Sequence, residues 1–239
     1  MSLKAVLFDL NGVIINDAII HKQLIDDILL KENLRSSSCQ EYQKICLGKT
    51  DRIGLREILA KRGRIVSDEY LEKLIKQKGD NYYQILNKIE KLPIFEKVIE
   101  FILQLQNRHL SMAVVTGALY RETDYILQKI NVRQYFNVLV TGDDTEPTLV
   151  SRNGYLLAVE KLNQQNSDLC LSPKECIVIE DTSSGIEIAK KAGFPVVGVA
   201  NTYPFHIIQR QANWCVDHLL QLDLDWVDRT LTPISDIVE

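Results

Sequence analysis

Polar side chains follow three apolar stretches of the sequence, at the point where each stretch ends. Asp9 follows "AVLF", Thr116 follows "AVV", and the pair Glu180-Asp181 follows "CIVI". Ligands of helix-covered parallel sheets bind at the carboxyl ends of the strands. We therefore expect one pocket in which carboxylate oxygens suit Mg²⁺. Thr116 and Gly117 offer a hydroxyl and a helix-start amide to a phosphate oxygen.

Asn11 is the next polar position after Asp9, and glycine follows it in "DLNGVI". An amide keeps the shape of a carboxyl group and can hydrogen-bond, but it cannot serve as a general acid or base. The segment thus combines a possible nucleophile or metal ligand with a neighbour that cannot transfer a proton.

The elements that must position these residues are visible from about residue 93 onwards. Apolar strands alternate with amphipathic helices: "LSMAVVTG", "YRETDYILQKI", "NVLVTG", "GYLLAVEKLNQQN", "ECIVIED", "SGIEIAKKAG" and "PVVGVA". This alternation is typical of βαβ units and of a parallel sheet covered on both faces. The strand at residues 4–10 is of the same type. The sequence predicts an α/β fold with a doubly wound, Rossmann-like parallel sheet.

Residues from about 17 to 90 contain helical patterns and no strand-like run. Pro93, in "EKLPIF", marks the return to the α/β pattern as a breaker. Because the first strand precedes these helices, we predict an all-α domain inserted into the α/β domain. The expected boundaries are 1–14 and 92–239 for the α/β core and 15–91 for the helical insert.

Composition excludes several classes of function. The 239 residues carry a formal net charge of -4, which argues against a nucleic-acid or anionic membrane surface. The five cysteines are scattered without a C-x-x-C pair, as in reduced cytosolic proteins. Neither a secretory signal nor an apolar run of about 20 residues is visible. We expect a cytoplasmic monomer or weak homodimer that binds neither nucleic acid nor membrane.

The segments "DLNGVI", "VVTG" and "IEDTSSGIEIAKKAG" resemble the first, second and fourth motifs of the haloacid dehalogenase (HAD) superfamily. The inserted helices resemble its class-one cap. Within the superfamily, the chain is most similar to the branch of β-phosphoglucomutase and phosphoglycolate phosphatase. "NDAIIHKQL", with Asp17 and His21, resembles the opening of the cap in that branch. The resemblance spans nearly the whole chain.

The resemblance implies a hydrolase that acts on a small phosphorylated metabolite through an aspartyl-phosphate at Asp9. It implies that Mg²⁺ binds Asp9, the backbone carbonyl of Asn11 and Asp181, with Glu180 beside them. Thr116 would hydrogen-bond the transferring phosphoryl group. The cap would close over the substrate and exclude water.

Four more residues are expected to contact the substrate. Gly117 lies beside the phosphoryl site, and His21 is a candidate replacement for the missing acid because its pKa suits acid–base chemistry. Lys49 and Arg52, in the cap string "GKTDRIGLREIL", could reach a second phosphate or a carboxylate on the substrate.

The chain departs from the branch at two positions. Asn11 occupies the place of an aspartate that protonates the leaving oxygen and later activates water. In the third motif, an ungapped match puts Leu149 in place of a lysine that balances the charge of nucleophile and phosphate. Arg152 is the candidate to supply that charge. Loss of acid–base catalysis typically costs about 10²–10⁴-fold in rate.

Three interpretations therefore stay open. The chain is an active phosphatase or phosphomutase-like hydrolase, impaired or specialised. Alternatively, it is a catalytically degenerate HAD fold that binds Mg²⁺ and a phosphate ligand. The third interpretation is a phosphonatase-like hydrolase of carbon–phosphorus bonds, in which Lys49 forms a Schiff base with the substrate.

Overall fold

The sheet of this protein is parallel throughout and matches the predicted strands. The computed structural model describes residues 2–144 and 150–231, without the side chains of residues 150–153 and 167. Its strands run in the order β3-β2-β1-β4-β5-β6. They are β1 (Ala5–Phe8), β2 (Ser111–Val115), β3 (Val138–Val140), β4 (Cys176–Glu180), β5 (Val196–Val199) and β6 (Trp214–Val216). The Rossmann-like fold class is confirmed, and the three-residue β6 is an addition that is too short to show a period.

Helices connect and cover these strands. Within the described residues they are α1 (Ala18–Lys31), α2 (Cys39–Ile45), α3 (Asp51–Lys61), α4 (Asp68–Lys88), α5 (Val98–Asn107), α6 (Tyr120–Lys129), α7 (Val150–Gln165), α8 (Ser183–Lys191), α9 (Phe205–Ile208) and α10 (Leu224–Leu231). None of them is long and apolar enough to cross a membrane.

The sheet reverses its direction of growth at β1, which pairs with β2 on one side and with β4 on the other. Phe8 is in register with Val114 and with Ile179. The residues that follow these strands therefore lie level with one another at the carboxyl edge. A crevice forms at such a switch point in open α/β sheets, and it is the usual place for a ligand.

Two apolar clusters cover the two faces of the sheet. Val6 and Phe8 of β1 belong to one cluster, and Ala5 and Leu7 belong to the other, as the alternation of side chains along a strand requires. All four residues are fully buried. Central strands buried on both faces explain why the sequence shows continuous apolar runs rather than alternation.

The helices predicted between residues 17 and 90 are α1 to α4. They have an apolar cluster of their own, which includes Ile28, Leu55 and Ile58, while Tyr82 and Leu86 of α4 pack into a cluster of the sheet. The boundaries of a separate domain at residues 15–91 stay a prediction.

Hydroxyl side chains begin several of the helices by accepting a hydrogen bond from a backbone N–H three residues on. Ser38, Thr50 and Ser67 do so for α2, α3 and α4, and Thr182 does so for α8. Thr182 follows directly on Asp181, so Glu180 at the end of β4 and Asp181 are held close to the start of α8. This fixes the backbone of the acidic pair.

Candidate active site

A cavity of about 620 Å³ lies between the carboxyl edge of the sheet and helices α1 to α3. The strand-end residues Asp9, Thr116 and Asp181 line it from the sheet side, and His21 and Lys49 line it from the inserted helices. The loop at residues 48–50 touches the first turn of α8, because the Ser184 hydroxyl donates a hydrogen bond of 3.4 Å to the Gly48 carbonyl. The inserted helices therefore form the roof of this cavity.

Three carboxylates at the floor of the cavity could hold a cation. Asp9, Glu180 and Asp181 each offer an oxygen, and these oxygens lie within 4.8 Å of one another. Asp181 is 1 % exposed, and its Oδ1 is buried without a hydrogen-bond partner among the described residues. Because a buried charged oxygen without a partner is costly, this orphaned atom fits a ligand position for a hard cation.

Glu180 differs from Asp181 because protein donors already occupy its oxygens. The Tyr155 hydroxyl donates to Oε1 (2.5 Å), and Oε2 accepts from the Asp181 backbone N–H and from the Thr182 hydroxyl (3.3 Å each). These bonds fix the Glu180 carboxylate against the Asp181 backbone. The donor set thus favours Asp181 and Asp9 as direct ligands, with Glu180 held beside them.

Mutual repulsion and burial perturb all three carboxyls. Burial, followed by the charges of Glu180 and Asp181, raises the pKa of Asp9 well above its ordinary value. Burial and the charge of Glu180 raise the pKa of Asp181 to about 8. Burial also raises the pKa of Glu180, although its hydrogen bonds oppose the shift. The metal-free cluster therefore retains protons near neutral pH, which a cation would displace.

Gly12 is the residue that lets the chain pass beside Asp181. Its φ is +89°, and a Cβ at this position would lie 2.0 Å from Asp181 Oδ2. We expect Gly12→Ala to lower the free energy of unfolding by about 2–4 kcal/mol, from left-handed strain plus the clash, and to abolish the Mg²⁺-induced rise in melting temperature. Thermal melting with and without Mg²⁺ measures both effects.

Gly63 supplies the matched control for this substitution. Its φ is +75°, and a Cβ there would meet nothing within 4 Å. Gly63→Ala should therefore cost only the strain of a left-handed alanine, about 1–2 kcal/mol, and should keep the response to Mg²⁺. Equal losses in the two variants, with the Mg²⁺ response retained in both, would contradict a tight metal loop at Gly12.

Thr116 directly follows β2 at the same edge, where the structure also places Gly117. The Thr116 hydroxyl accepts a hydrogen bond from the Ala118 N–H (3.1 Å) and donates to Asn11 Oδ1 (3.4 Å). Thr116 is 6 % exposed. Both Thr116 and Gly117 line the cavity next to Asp9, as the strand ends predict.

Asn11 and His21 share a hydrogen-bond partner in Asp17, which the sequence identifies beside His21 but not as a partner of Asn11. Asp17 is buried, and its Oδ2 accepts hydrogen bonds from Asn11 Nδ2 (2.8 Å), from His21 Nε2 (3.2 Å) and from the Tyr82 hydroxyl. Burial alone would raise the pKa of Asp17, but the neighbouring His21 and these hydrogen bonds lower it below its ordinary value. Lys78, also buried, faces His21 Nδ1 (2.8 Å) and Asp51 (2.8 Å).

The two basic residues predicted to meet the substrate are paired within the inserted helices. Lys49 lines the cavity, and its Nζ forms an ion pair with Glu57 (2.5 Å). Arg52 pairs with Glu72 and is not part of the described cavity wall. A substrate-binding role for either residue, and a Schiff base at Lys49, stay predictions.

The third-motif residues fall where the structure gives no side-chain description. Leu149 lies outside the described residues. Arg152 is in the first turn of α7, but its side chain is not among those described. Their proposed roles stay predictions.

Sequence patterns gave no signal for three residues of the site. Tyr82 and Lys78 lie on α4, far along the chain from Asp17, and their types are ordinary for a helix. Tyr155 lies on α7, and its hydroxyl reaches Glu180 from the next layer of the fold, 25 positions away along the chain. Only Asp17 carried a usable signal, since it stands four residues before His21, a spacing that places both on one helix face.

The chain is similar to hydrolases along most of its length. A family model described as haloacid dehalogenase-like hydrolase matches residues 6–199. A phosphorylated carbohydrates phosphatase of Thermotoga maritima is 24% identical over 201 residues, covering 84% of this chain and 87% of the relative. A beta-phosphoglucomutase of Bacillus subtilis is 25% identical over 209 residues, covering 84% of this chain and 85% of the relative.

Solved structures show the same fold. A beta-phosphoglucomutase of Clostridium difficile superposes with a TM-score of 0.81, over 99% of this chain and 100% of that chain, at 20% identity. At that identity the likeness establishes the fold alone. It supports the arrangement of a parallel sheet with inserted helices.

Proposed function

Because the chain belongs to the haloacid dehalogenase-like hydrolase family, we propose that it is a Mg²⁺-dependent phosphatase with Asp9 as its nucleophile. The observation that carries this proposal is the cluster of Asp9, Glu180 and Asp181, in which Asp181 Oδ1 is buried without a partner among the described residues. Relatives named for phosphatase and phosphomutase activity on sugar phosphates support a small phosphorylated metabolite as substrate.

Asp9 attacks the phosphorus of the ester. A bond forms between its carboxylate oxygen and phosphorus, and the bond to the leaving oxygen breaks, which gives an aspartyl-phosphate. The Thr116 hydroxyl, turned from Asn11 Oδ1 to a phosphoryl oxygen, and the Gly117 amide donate hydrogen bonds to the transferring phosphoryl group. Water then hydrolyses the aspartyl-phosphate and regenerates Asp9.

The donor set fits Mg²⁺, since it consists of oxygen atoms around one orphaned carboxylate oxygen. Asp9, Asp181 and the backbone carbonyl of Asn11 would hold the ion. Glu180, fixed by Tyr155, keeps the Asp181 backbone in place. When bound, Mg²⁺ supplies positive charge that offsets the repulsion between a carboxylate nucleophile and a phosphate dianion.

Residues 15–91 act as a cap in this proposal. His21 and Lys49 border the cavity from that side and would contact the part of the substrate that leaves, with Arg52 further along the same segment. Arg152 is the candidate cation for the phosphoryl group in place of the lysine absent at Leu149.

A catalytically degenerate protein that binds Mg²⁺ and a phosphate ligand is the second candidate. Asn11 is the observation in its favour, since the side chain next to the nucleophile cannot protonate a leaving oxygen. The same residue predicts how an active enzyme should behave. An aryl phosphate leaves as a stabilised phenolate and needs less protonation than an alkyl phosphate.

Phosphate release from matched aryl and alkyl esters separates the two candidates. With Mg²⁺ we expect p-nitrophenyl phosphate to turn over at least about tenfold faster than glucose 6-phosphate or phosphoglycolate, given the usual size of acid catalysis. Chelation of the metal should abolish release. If no ester releases phosphate while Mg²⁺ and inorganic phosphate still raise the melting temperature, the degenerate alternative is correct.

A further inference from the structure

The buried carboxylate of Asp17 fixes how the side chain of Asn11 is oriented. An ionised carboxylate accepts hydrogen bonds and cannot donate them. The Asn11 nitrogen, which donates, must therefore face Asp17 Oδ2, at 2.8 Å. The carbonyl oxygen of the amide then points to the other side, where the Thr116 hydroxyl donates to it at 3.4 Å. Asn11 thus presents an acceptor to the phosphoryl site and uses its donor on Asp17.

Lys78 fixes which nitrogen of His21 carries the proton. An ammonium group only donates, so His21 Nδ1, 2.8 Å from Lys78 Nζ, is an acceptor. His21 Nε2 faces an oxygen that only accepts, so this nitrogen carries a proton and donates to Asp17 Oδ2 at 3.2 Å. The 3.3 Å between His21 Nε2 and Asn11 Nδ2 is then a contact between two donors that share one acceptor.

Asp17 consequently has three side-chain donors on one oxygen, since the Tyr82 hydroxyl also bonds Oδ2. Its side chain is 1 % exposed. Such a set stabilises a buried ionised carboxylate and leaves no proton on it to share. His21 donates its Nε2 proton in a hydrogen bond to Asp17 and is therefore not positioned as the acid that Asn11 lacks.

We propose that Asp17 is a positioning residue that requires a hydrogen-bond donor at position 11, so that an amide fits there and a carboxylate does not. This inference rests on the proposed function in one respect: position 11 matters for catalysis because Asp9 is the proposed nucleophile. In the sequence, Asn11 looks like an isolated substitution of an acid. In the structure it forms a complementary donor–acceptor pair with Asp17, so restoring the acid requires a change at both positions.

Asn11→Asp alone should therefore not restore an acid. It would place two carboxylates about as close as the present 2.8 Å contact, and two carboxyls at that distance cannot both ionise. With no donor left at position 11 for Asp17 Oδ2, the variant loses the 2.8 Å hydrogen bond and gains a repulsive contact, so the folded protein should be destabilised.

Exchanging the two residues should remove the conflict. In Asn11→Asp with Asp17→Asn, the amide introduced at position 17 can donate to the carboxylate and to the Tyr82 oxygen. The carboxylate at position 11 can also accept from His21 Nε2, which lies 3.3 Å from the present Asn11 nitrogen. The acid then stands beside Asp9 with its partners satisfied.

The test compares Asn11→Asp, Asp17→Asn and the double variant by thermal melting without metal at pH 8. Asn11→Asp should lower the melting temperature by about 8 °C, the size expected for an unpaired buried charge in a chain of this length. The double variant should lie within about 3 °C of Asp17→Asn. Asn16→Asp, which adds the same charge at an exposed neighbour, should change little.

Turnover of glucose 6-phosphate with Mg²⁺ gives the second readout. The double variant should exceed Asn11→Asp by about tenfold or more. If Asn11→Asp is as stable as Asn16→Asp at pH 8, or if the double variant is no more stable than Asn11→Asp or does not fold, the inference is wrong. If the stability pattern holds but neither the native protein nor any variant releases phosphate, Asp17 keeps its positioning role and the phosphatase proposal fails.

Discussion

Asp9→Asn is expected to lower kcat for p-nitrophenyl phosphate by about 10⁴-fold or more, because an amide is a poor nucleophile and loss of a nucleophile typically has this size. The variant should remain folded. Burial and the charges of Glu180 and Asp181 raise the pKa of Asp9, so removal of its charge relieves repulsion in the metal-free cluster. We therefore expect its melting temperature at pH 8 to equal or exceed that of the native protein.

Asp27→Asn is the matched control, since Asp27 is exposed on α1. It makes the same chemical change away from the cavity and should leave kcat unchanged. Retention of more than about one hundredth of the native kcat by Asp9→Asn would contradict a nucleophilic role for Asp9.

Mg²⁺ affinity is expected to rise by about tenfold or more for each pH unit between pH 6 and about 8. Burial and the charge of Glu180 raise the pKa of Asp181 to about 8, so binding below that pH must displace a proton. The raised pKa also means that the contribution of Asp181 to metal-free stability is greatest at low pH and falls as the pH approaches 8. The rise in melting temperature caused by Mg²⁺ should therefore grow over this range.

Melting curves at pH 6, 7, 8 and 9, with and without Mg²⁺, measure this dependence. In Asp181→Asn the Mg²⁺-induced rise should be lost at every pH, while Asp27→Asn should respond as the native protein does. A response to Mg²⁺ that is independent of pH, or one that persists in Asp181→Asn, would place the metal elsewhere.

The fold and the floor of the site were predictable because each rests on a local pattern. Continuous apolar runs identify the buried strands, and a strand end needs no long-range information to be recognised. Once β1 pairs with both β2 and β4, Asp9, Thr116 and Asp181 must meet at one edge. The sequence places each of these residues directly after a strand, and the parallel pairing of the strands brings them together.

The partners that decide how the site works were not predictable, because they come from distant parts of the chain. Tyr82 and Lys78 reach Asp17 and His21 from α4 through packing that no periodicity encodes. The distinction between Glu180 and Asp181 depends on Tyr155, whose hydroxyl crosses from α7. Two adjacent acidic residues look equivalent in a sequence. Only the structure shows that the Glu180 oxygens accept hydrogen bonds, whereas Asp181 Oδ1 accepts none among the described residues.

Arg52 shows a second limit of sequence reasoning. Its substrate contact stays a prediction, but the sequence gives no sign of the ion pair that Arg52, on α3, forms with Glu72 on α4. Ion pairs between neighbouring helices depend on which faces meet, and the sequence of one helix does not contain that information.

A trapped phosphoryl group at Asp9 is the most direct test of the central claim. The native protein is mixed with radiolabelled aryl phosphate and Mg²⁺ and quenched in acid. It is then digested, and the label is assigned to individual peptides. Because Asn11 cannot activate water, the aspartyl-phosphate should accumulate. We predict label on the peptide that contains Asp9, released by hydroxylamine and absent without Mg²⁺ or in Asp9→Asn. Steady release of phosphate without label on that peptide, or label on another residue, would contradict the account.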